Sequence, residues 1–337
     1  MVSRNRRHSG TLCFCILILI NPYIMRIKPI VIFTLLSITF FSCKKEKNTA
    51  HENPVAELSP YINKVYEFKP APGQFINDGG HTDLSKTEIL IGGVGNGLVS
   101  LGGFGGYIVF GFDHPITNGS GADLGIYGNP LVGAGMEFSE PGIVCVMQDQ
   151  NKNGLPDDVW YELAGSEYRA ASTLKNYKIT YHRPASLSDD IRWTDNQGKE
   201  GLILRNGFHA QDYFPGWTTA KELSFTGTLI RNTLTAGDII TNKPLGIGYA
   251  DNGSSDYLAL QEQLGRGYNT FDIDWAVDSN GNKVALTSID FVKIYTGQNS
   301  NGNPFSPDNN NERSRYIGEI STEVAGAVDL KLLITNK

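Results

Sequence analysis

Cysteine is scarce in this sequence of 337 residues, which holds four, and three of them lie in the first 43 positions. Only Cys145 remains in the body of the chain, within the apolar run 142–146. A single thiol excludes an intrachain disulfide and a cysteine-based metal site in the body. We therefore interpret Cys145 as a buried structural residue.

Positive charge is also scarce beyond the N-terminal region. Residues 1–42 carry five basic residues and no acidic one, so the chain from Cys43 onward has 24 basic and 35 acidic residues and a net charge of −11. Binding to nucleic acid depends on clustered cations that neutralise phosphates. The charge balance therefore argues against a nucleic-acid partner.

The sequence lacks the local motifs of several enzyme classes. It contains no H-E-x-x-H, no G-x-S-x-G and no G-x-x-x-x-G-K-S/T, which argues against a zinc protease, a serine hydrolase elbow and a phosphate-binding loop. Glycoside hydrolysis requires only two suitably separated carboxylates, so a glycoside-active enzyme remains an alternative. Its candidate residues, each of which we interpret as structural or solvated, are Glu140, Glu162, Glu167, Asp272 and Asp274.

Helical periodicity is rare, and only the segment 257–264 is compatible with two helical turns. Short apolar runs bounded by Gly, Asn, Asp or Pro are typical of strands and turns. This pattern predicts an all-β fold, a jelly roll or β-sandwich with long loops and few short helices. The clearest predicted strands are 107–112, 143–147, 177–181 and 289–295.

The predicted body, residues 61–337, is large for one sandwich. Its middle, about 185–270, is richer in polar loops than the flanking parts. Two interpretations of this middle segment stay open, an insertion and a second, smaller layer of structure.

The N-terminal region has the features of a bacterial lipoprotein signal. From Met25, two basic residues precede an apolar run of twelve residues, 30–41, and Cys43 follows closely. Twelve residues are fewer than the roughly 20 that a membrane-spanning helix needs. We interpret 1–42 as the signal region and Met25 as the true start of the protein. Cys43 is then the lipidated residue, and 43–60 is a polar tether.

One acidic stretch has the spacing of a calcium-binding loop. Asp149, Asn151 and Asn153 alternate and Gly154 follows, as at positions 1, 3, 5 and 6 of an EF-hand loop. Position 12, a bidentate glutamate in an EF-hand, is Trp160 here, so we do not expect the flanking helix pair. A calcium-stabilised loop between strands is our prediction, and a metal-free turn is the alternative. The predicted calcium ligands are Asp149, Asn151, Asn153, Leu155 (through its carbonyl), Asp157 and Asp158.

Aromatic residues are spread through the body, including its polar parts. A flat ring at the surface stacks on a sugar or another flat ligand, whereas a ring in the core packs against other apolar residues. The predicted ligand-binding aromatics are Trp160, Tyr161, Trp193, Tyr213 and Trp217.

Five segments between about residues 61 and 330 resemble a known family. Residues 103–116, GFGGYIVFGFDHPI, are similar to the GGYIVVGFDHPI stretch of Bacteroidetes lipoproteins that are usually labelled cell surface protein. A more distant resemblance is to galactose-binding-like jelly rolls on bacterial surfaces. The other similar segments are 140–144 (EPGIV), 149–166 (which ends in WYELAGS), 271–278 (FDIDWAVD) and 290–297 (DFVKIYTG).

The resemblance implies a non-enzymatic lipoprotein of the outer membrane, exposed at the cell surface. It also implies that the protein binds an extracellular ligand and works beside an outer-membrane transporter in nutrient uptake, or in adhesion. A glycan or another small nutrient is the expected ligand, and the alternative is a corrinoid. These expectations come from association with a family and not from chemistry in the residues.

Overall fold

The computed structural model describes residues 57–77, 83–133, 137–259, 267–304 and 317–335. The predicted signal region, the predicted lipidation site Cys43 and most of the predicted tether therefore lie outside the described residues. All described residues belong to one unit of the chain, Ala56–Lys337. Within them, no helix is both long and apolar enough to cross a membrane.

The described part of the chain consists mainly of short strands, which confirms the predicted all-β fold. Alternation of apolar and polar residues produces them: in Leu174–His182, Tyr177 and Ile179 are buried while Lys178 is exposed. The strands are β1 (Lys64–Lys69), β2 (Val99–Ser100), β3 (Tyr107–Thr117), β4 (Leu124–Gly128), β5 (Gly142–Met147), β6 (Tyr161–Leu163), β7 (Leu174–His182), β8 (Ile191–Asp195), β9 (Glu200–Ile203), β10 (Glu222–Leu229), β11 (Leu234–Thr235), β12 (Thr241–Asn242), β13 (Tyr257–Ala259), β14 (Gly267–Phe271), β15 (Ala276–Val277), β16 (Ser288–Thr296), β17 (Glu323–Val324) and β18 (Gly326–Asp329). The described helices are two 3-10 helices, Leu84–Leu90 and Ile273–Trp275, and one α-helix, α1 (Leu330–Thr335).

The strands form three larger sheets, and neighbouring strands in each are antiparallel. The central sheet has the order β1-β3-β16-β5-β6-β15. The two outer sheets have the orders β13-β14-β4-β18 and β10-β7-β8-β9. Two further pairs of strands, β11-β12 and β17-β2, form short ribbons.

The central sheet is buried on both faces. Because successive side chains of a strand point to opposite faces, Val144 and Val146 of β5 belong to one hydrophobic core, whereas Ile143 and Cys145 contact the other. The first core is shared with β4, β14 and β18, and the second with β7, β8, β9 and β10. The body is therefore a β-sandwich of three layers.

The predicted strands are confirmed, and one predicted helix needs correction. The four predicted strands lie within β3, β5, β7 and β16. The helical interpretation of 257–264 is wrong for its first three residues, because Tyr257–Ala259 forms β13 and pairs with β14. Residues 260–266 lie outside the described residues.

The middle segment 185–270 contributes to two of the three layers. Strands β8, β9 and β10 form one outer sheet together with β7, while β13 and β14 join the outer sheet on the opposite side of the central sheet. Chain from this segment therefore contacts both cores.

Candidate functional site

A cavity of about 650 Å³ lies among strand ends and loops of the body, and we refer to it as the pocket. Its volume is within the range of about 300–1,000 Å³ that is usual for small-molecule sites. Segments that are distant in sequence meet there and supply both polar and aromatic side chains. The pocket is lined by Gln74, Phe75, Lys86, Leu98, Ser100, Asn129, Phe138, Glu140, Asn206, His209, Ile317 and Glu323.

Glu323, in the segment 319–324, forms part of one wall of the pocket. Side chains alternate along an extended chain, so we expect Glu319 and Glu323 to share one side and Ile320 and Val324 the other; all four are buried. Ser321, between the two glutamates, forms a hydrogen bond with the hydroxyl of Ser100. Pairing of β17 with β2 places Glu323 opposite Ser100, which also lines the pocket.

Three carboxylates converge at this wall, and we call Glu140, Asp251 and Glu323 the acidic cluster. One ligand atom from each lies within 4.8 Å of the other two. Backbone N–H groups hold the cluster in place: those of Asn129 and Glu323 donate to Asp251 Oδ1 (2.8 Å) and Oδ2 (2.9 Å), and that of Ser321 donates to Glu140 Oε1 (3.0 Å). Asp251 has a φ of 53°, a left-handed conformation that is uncommon for a residue other than glycine.

Burial and mutual repulsion dominate the electrostatics of the acidic cluster. Burial raises the pKa of all three carboxyl groups. The negative charge of Glu140 raises the pKa of Asp251 and Glu323 further. Two full charges at such a distance repel by roughly 3–4 kcal/mol at an effective dielectric constant of about 20. A proton or a cation among its oxygens would relieve this repulsion.

A fourth acid, Glu319, lies beside the acidic cluster. It is 1% exposed, its Oε1 accepts a hydrogen bond from the backbone nitrogen of Gln74 (2.8 Å), and its Oε2 has no partner among the described residues. Burial raises the pKa of Glu319 to about 8, and the charge of Glu140 adds to the increase. The charge of Glu319 in turn raises the pKa of Glu323. The charge of Glu319 therefore adds to the electrostatic repulsion at the cluster.

The rest of the pocket presents aromatic, amide and cationic groups. The rings of Phe75 and His209 form an edge-to-face pair with centroids 4.5 Å apart. Asn206 Nδ2 donates to Gln74 Oε1 (2.9 Å), and Lys86 Nζ donates to the carbonyl of Phe75 (2.9 Å). The pocket therefore combines hydrogen-bond acceptors with an aromatic surface.

The predicted calcium stretch, 149–158, lies in an exposed loop between β5 and β6. Asp149 accepts hydrogen bonds from the backbone nitrogens of Asn153 (3.2 Å) and Gly154 (2.8 Å). Gly154 has a φ of 73°, a left-handed conformation that favours glycine. The side-chain amides of Asn151 and Asn153 donate to Asp157 at 3.1 and 2.9 Å. The side chains at positions 1, 3, 5 and 9 of the loop are thus linked by hydrogen bonds within the loop.

The other two predicted calcium ligands also make contacts within the loop. Asp158 Oδ2 accepts hydrogen bonds from the backbone nitrogens of Gln150 (2.8 Å) and Asn151 (3.3 Å). The carbonyl of Leu155 accepts one from the nitrogen of Asp157 (2.9 Å). Among the described residues, the acidic cluster has at least three His, Cys, Asp or Glu side chains with ligand atoms within 4.8 Å of one another. The acids of the loop 149–158 do not form such a group.

The predicted ligand-binding aromatics lie in different environments, and none of them lines the pocket. Trp193 and Tyr213 are 3% and 0% exposed, so the prediction that they stack on an external ligand is wrong: both rings pack in the second core. Trp217 is half-buried, and its indole donates to the carbonyl of Pro70 (3.0 Å). Tyr161 is half-buried against the first core. Trp160 lines a separate cavity of about 340 Å³.

Of the five carboxylates considered for glycoside hydrolysis, Glu140 lies in the acidic cluster. The other four form hydrogen bonds, an ion pair or a helix cap outside the cluster. Glu162 accepts a hydrogen bond from Thr228 Oγ1 (2.6 Å), and Glu167 pairs with Arg231 (3.1 Å). Asp272 caps the 3-10 helix Ile273–Trp275. Asp274 accepts a hydrogen bond from the side chain of Asn118 (3.1 Å).

Sequence reasoning missed three acids at the pocket: Asp251, Glu319 and Glu323. One local signal was present, because G-E-I-S-T-E-V (318–324) alternates polar and apolar residues and therefore puts both glutamates on one face. Asp251 had no comparable signal, since it lies in a polar turn that resembles other turns. No protein-family model matches this chain, and no curated protein sequence matches it either.

Proposed function

We propose that this chain is a non-enzymatic, lipid-anchored protein of the outer membrane that binds a small extracellular ligand in the pocket. The observation that carries the proposal is a cavity of about 650 Å³ that is lined both by two converging carboxyl groups and by a pair of aromatic rings. Pockets of this size, with few convergent polar groups and perturbed pKa values, are typical of ligand sites. Lipidation at Cys43 forms part of the proposal on the basis of the lipoprotein signal, and surface exposure and work beside a transporter do so on the basis of the resemblance to surface lipoproteins.

The chemistry of the pocket favours a ligand rich in hydrogen-bond donors. Carboxyl groups of Glu140 and Glu323 accept hydrogen bonds, and Asn206 and Gln74 add amide groups. The rings of Phe75 and His209 provide an apolar surface near them. A sugar has both properties, because it carries hydroxyl groups around a ring with an apolar face. We therefore propose a glycan fragment as the ligand, in preference to a corrinoid.

The spacing of the carboxylates supports binding over hydrolysis. Glycosidases keep their two carboxyl groups about 5–9.5 Å apart, on opposite sides of the bond to be cleaved. Glu140 and Glu323 instead have carboxylate oxygens within 4.8 Å of each other. Side-by-side carboxyl groups act as one acceptor surface.

We also propose calcium as a structural cofactor of the loop 149–158. Four side chains at the predicted ligand positions are joined by hydrogen bonds, and Gly154 has the backbone conformation that the sharp turn of such a loop requires. A cation here would stabilise the connection between β5 and β6.

A glycan array probed with the full-length protein tests the proposed function. Variants His209→Ala and Glu323→Gln are expected to lose at least tenfold in affinity for any glycan that binds. Glu222→Gln, an exposed residue on β10, is the matched control and is expected to bind as the wild type does. Equal binding by all variants, release of cleaved sugar, or binding of cyanocobalamin instead of glycans would each overturn part of the proposal.

A further inference from the structure

The acidic cluster has no cationic partner in the part of the chain that the structure describes. Among the described residues, no lysine, arginine or histidine forms an ion pair with Glu140, Asp251 or Glu323. Elsewhere in the body, a buried acid has a cationic partner: Asp123, which is 0% exposed, is paired with Lys331 (2.8 Å). The described part of the chain thus supplies no cationic side chain to neutralise the three carboxylates.

Glu319 is a second, independent indication of a ligand at this place. It is fully buried beside the acidic cluster, and its Oε2 has no hydrogen-bond partner among the described residues. A buried carboxylate oxygen without a partner is unfavourable. A cation among the cluster oxygens would compensate the charge of Glu319 as well.

We propose that Glu140, Asp251 and Glu323 bind one divalent cation, calcium, at the wall of the pocket. Two oxygens bound to the same calcium ion at about 2.3–2.6 Å are at most roughly 5 Å apart, and the cluster oxygens already lie within 4.8 Å. The donor set consists of oxygen alone, which suits calcium and disfavours zinc. Its irregular arrangement on three separate segments suits calcium better than magnesium, which requires near-ideal octahedral geometry.

Each carboxylate retains the capacity to bind the ion. Asp251 accepts one backbone hydrogen bond on each oxygen, which leaves a second lone pair on each. Glu140 accepts one from Ser321 on Oε1. The alternative to a bound calcium ion is a proton shared between Glu140 and Glu323, with no cation in the cluster. Calcium binding at the cluster requires the three carboxylates and does not require a particular organic ligand in the pocket.

Calorimetric titration of the full-length protein with calcium chloride tests the inference. The wild type is expected to bind two calcium ions, one in the loop 149–158 and one in the acidic cluster. Asp149→Ala is expected to lose the first and keep the second. Glu140→Gln and Glu323→Gln each remove one negative charge with little change in shape, and are expected to weaken the second site at least tenfold. Glu137→Gln, exposed and three residues from Glu140, is the control and should bind as the wild type does.

The Asp149→Ala variant keeps the test decisive if a cluster variant fails to fold. One calcium ion bound by Asp149→Ala at millimolar or lower concentration supports the cluster site. No calcium bound by that variant overturns the inference, and so does unchanged stoichiometry and affinity in folded Glu140→Gln and Glu323→Gln. Repetition with magnesium chloride is expected to show at least tenfold weaker binding at the cluster, and equal binding of both ions contradicts the assignment to calcium.

Discussion

The loop 149–158 and the acidic cluster are two acidic regions with opposite construction. The loop is exposed, and its acids bond to groups within eight positions of each other. The cluster combines acids from three distant segments, and Asp251 in it is 0% exposed. Water solvates the charges of the loop, whereas burial raises the pKa of every acid in the cluster. Acids of the same type therefore contribute differently to the free energy of folding, because one group is buried and the other is exposed to water.

The largest difference in the free energy of unfolding is expected between Asp251→Ala and Asp149→Ala. The two variants are comparable because each aspartate accepts hydrogen bonds from two backbone N–H groups. Loss of the buried acceptor leaves two N–H groups without partners, so Asp251→Ala is expected to lower the free energy of unfolding by about 3 kcal/mol. Water replaces the exposed acceptor, so Asp149→Ala should cost about 1 kcal/mol or less. Urea denaturation in EGTA measures both. Asp251→Asn, which keeps an acceptor, should lose less than Asp251→Ala, and equal losses at positions 251 and 149 would contradict the contrast.

Removal of calcium is expected to have the next largest effect. An ion at 100 times its dissociation constant stabilises the folded state by about 2.7 kcal/mol, which corresponds to a shift of roughly 5–10 °C in Tm for a domain of this size. Thermal unfolding with calcium and with EGTA measures the shift. Asp149→Ala should remove the part that the loop contributes, and an unchanged Tm in the wild type would exclude calcium as a structural cofactor.

His114 provides a third case, an acidic site with its own cation. Its Nδ1 and Nε2 lie 2.6 and 3.0 Å from oxygens of Asp113 and Asp329. Burial lowers the pKa of His114, but hydrogen bonds to both aspartates and their charges outweigh burial and raise it above the ordinary value. A raised folded-state pKa means that the stabilisation is fully present below the unfolded-state value of about 6.5 and is lost as pH rises through the folded-state pKa.

We therefore expect His114→Gln to destabilise the protein by about 1–2 kcal/mol at pH 5 and by less at pH 9. Urea denaturation of wild type and variant across this range measures the difference. The half-buried His182, which lies 3.3 Å from Glu222, is the control, and His182→Gln should have a smaller effect. A larger loss at pH 9 than at pH 5 would show that His114 stabilises the fold in its neutral form.

The smallest effect is expected from Trp160→Ala, near the loop and outside the pocket. Substitutions of partly exposed residues away from the core usually change the free energy of unfolding by about 0.5 kcal/mol. Glycan affinity in the pocket should stay unchanged. If this variant loses tenfold in affinity, the ligand site belongs beside the loop and not at the acidic cluster.

Local patterns predicted much of this structure. Strands such as β7 were predictable because Tyr177, Ile179 and Tyr181 alternate with polar residues. The turn around Gly154 was predictable because the spacing of the acids and the glycine is local. Trp193 and Tyr213 were misplaced because an aromatic residue has the same sequence signature in a core as at a surface. The second core, which buries them, becomes visible only when the three layers are assembled.

The acidic cluster was not predictable as a unit, since long-range pairing creates it. Glu140 was considered as a candidate acid, but its partners lie more than 100 positions away, and burial alone distinguishes them from solvated acids. One strand pairing, β17 with β2, brings Glu323 beside Ser100. Without that pairing, Glu323 is indistinguishable from other surface glutamates.

The pairing of β17 with β2 also determines when the pocket forms during synthesis. Ser100 and Ser321, whose hydroxyl groups are hydrogen-bonded to each other, are 221 positions apart. Closing so long a loop is slow and entropically unfavourable before other contacts form. The loop 149–158 can close as soon as Asp158 has left the ribosome, whereas the pocket must wait for Glu323. We expect a nascent chain to acquire its exposed acidic loop early and its binding competence only at the last stage of folding.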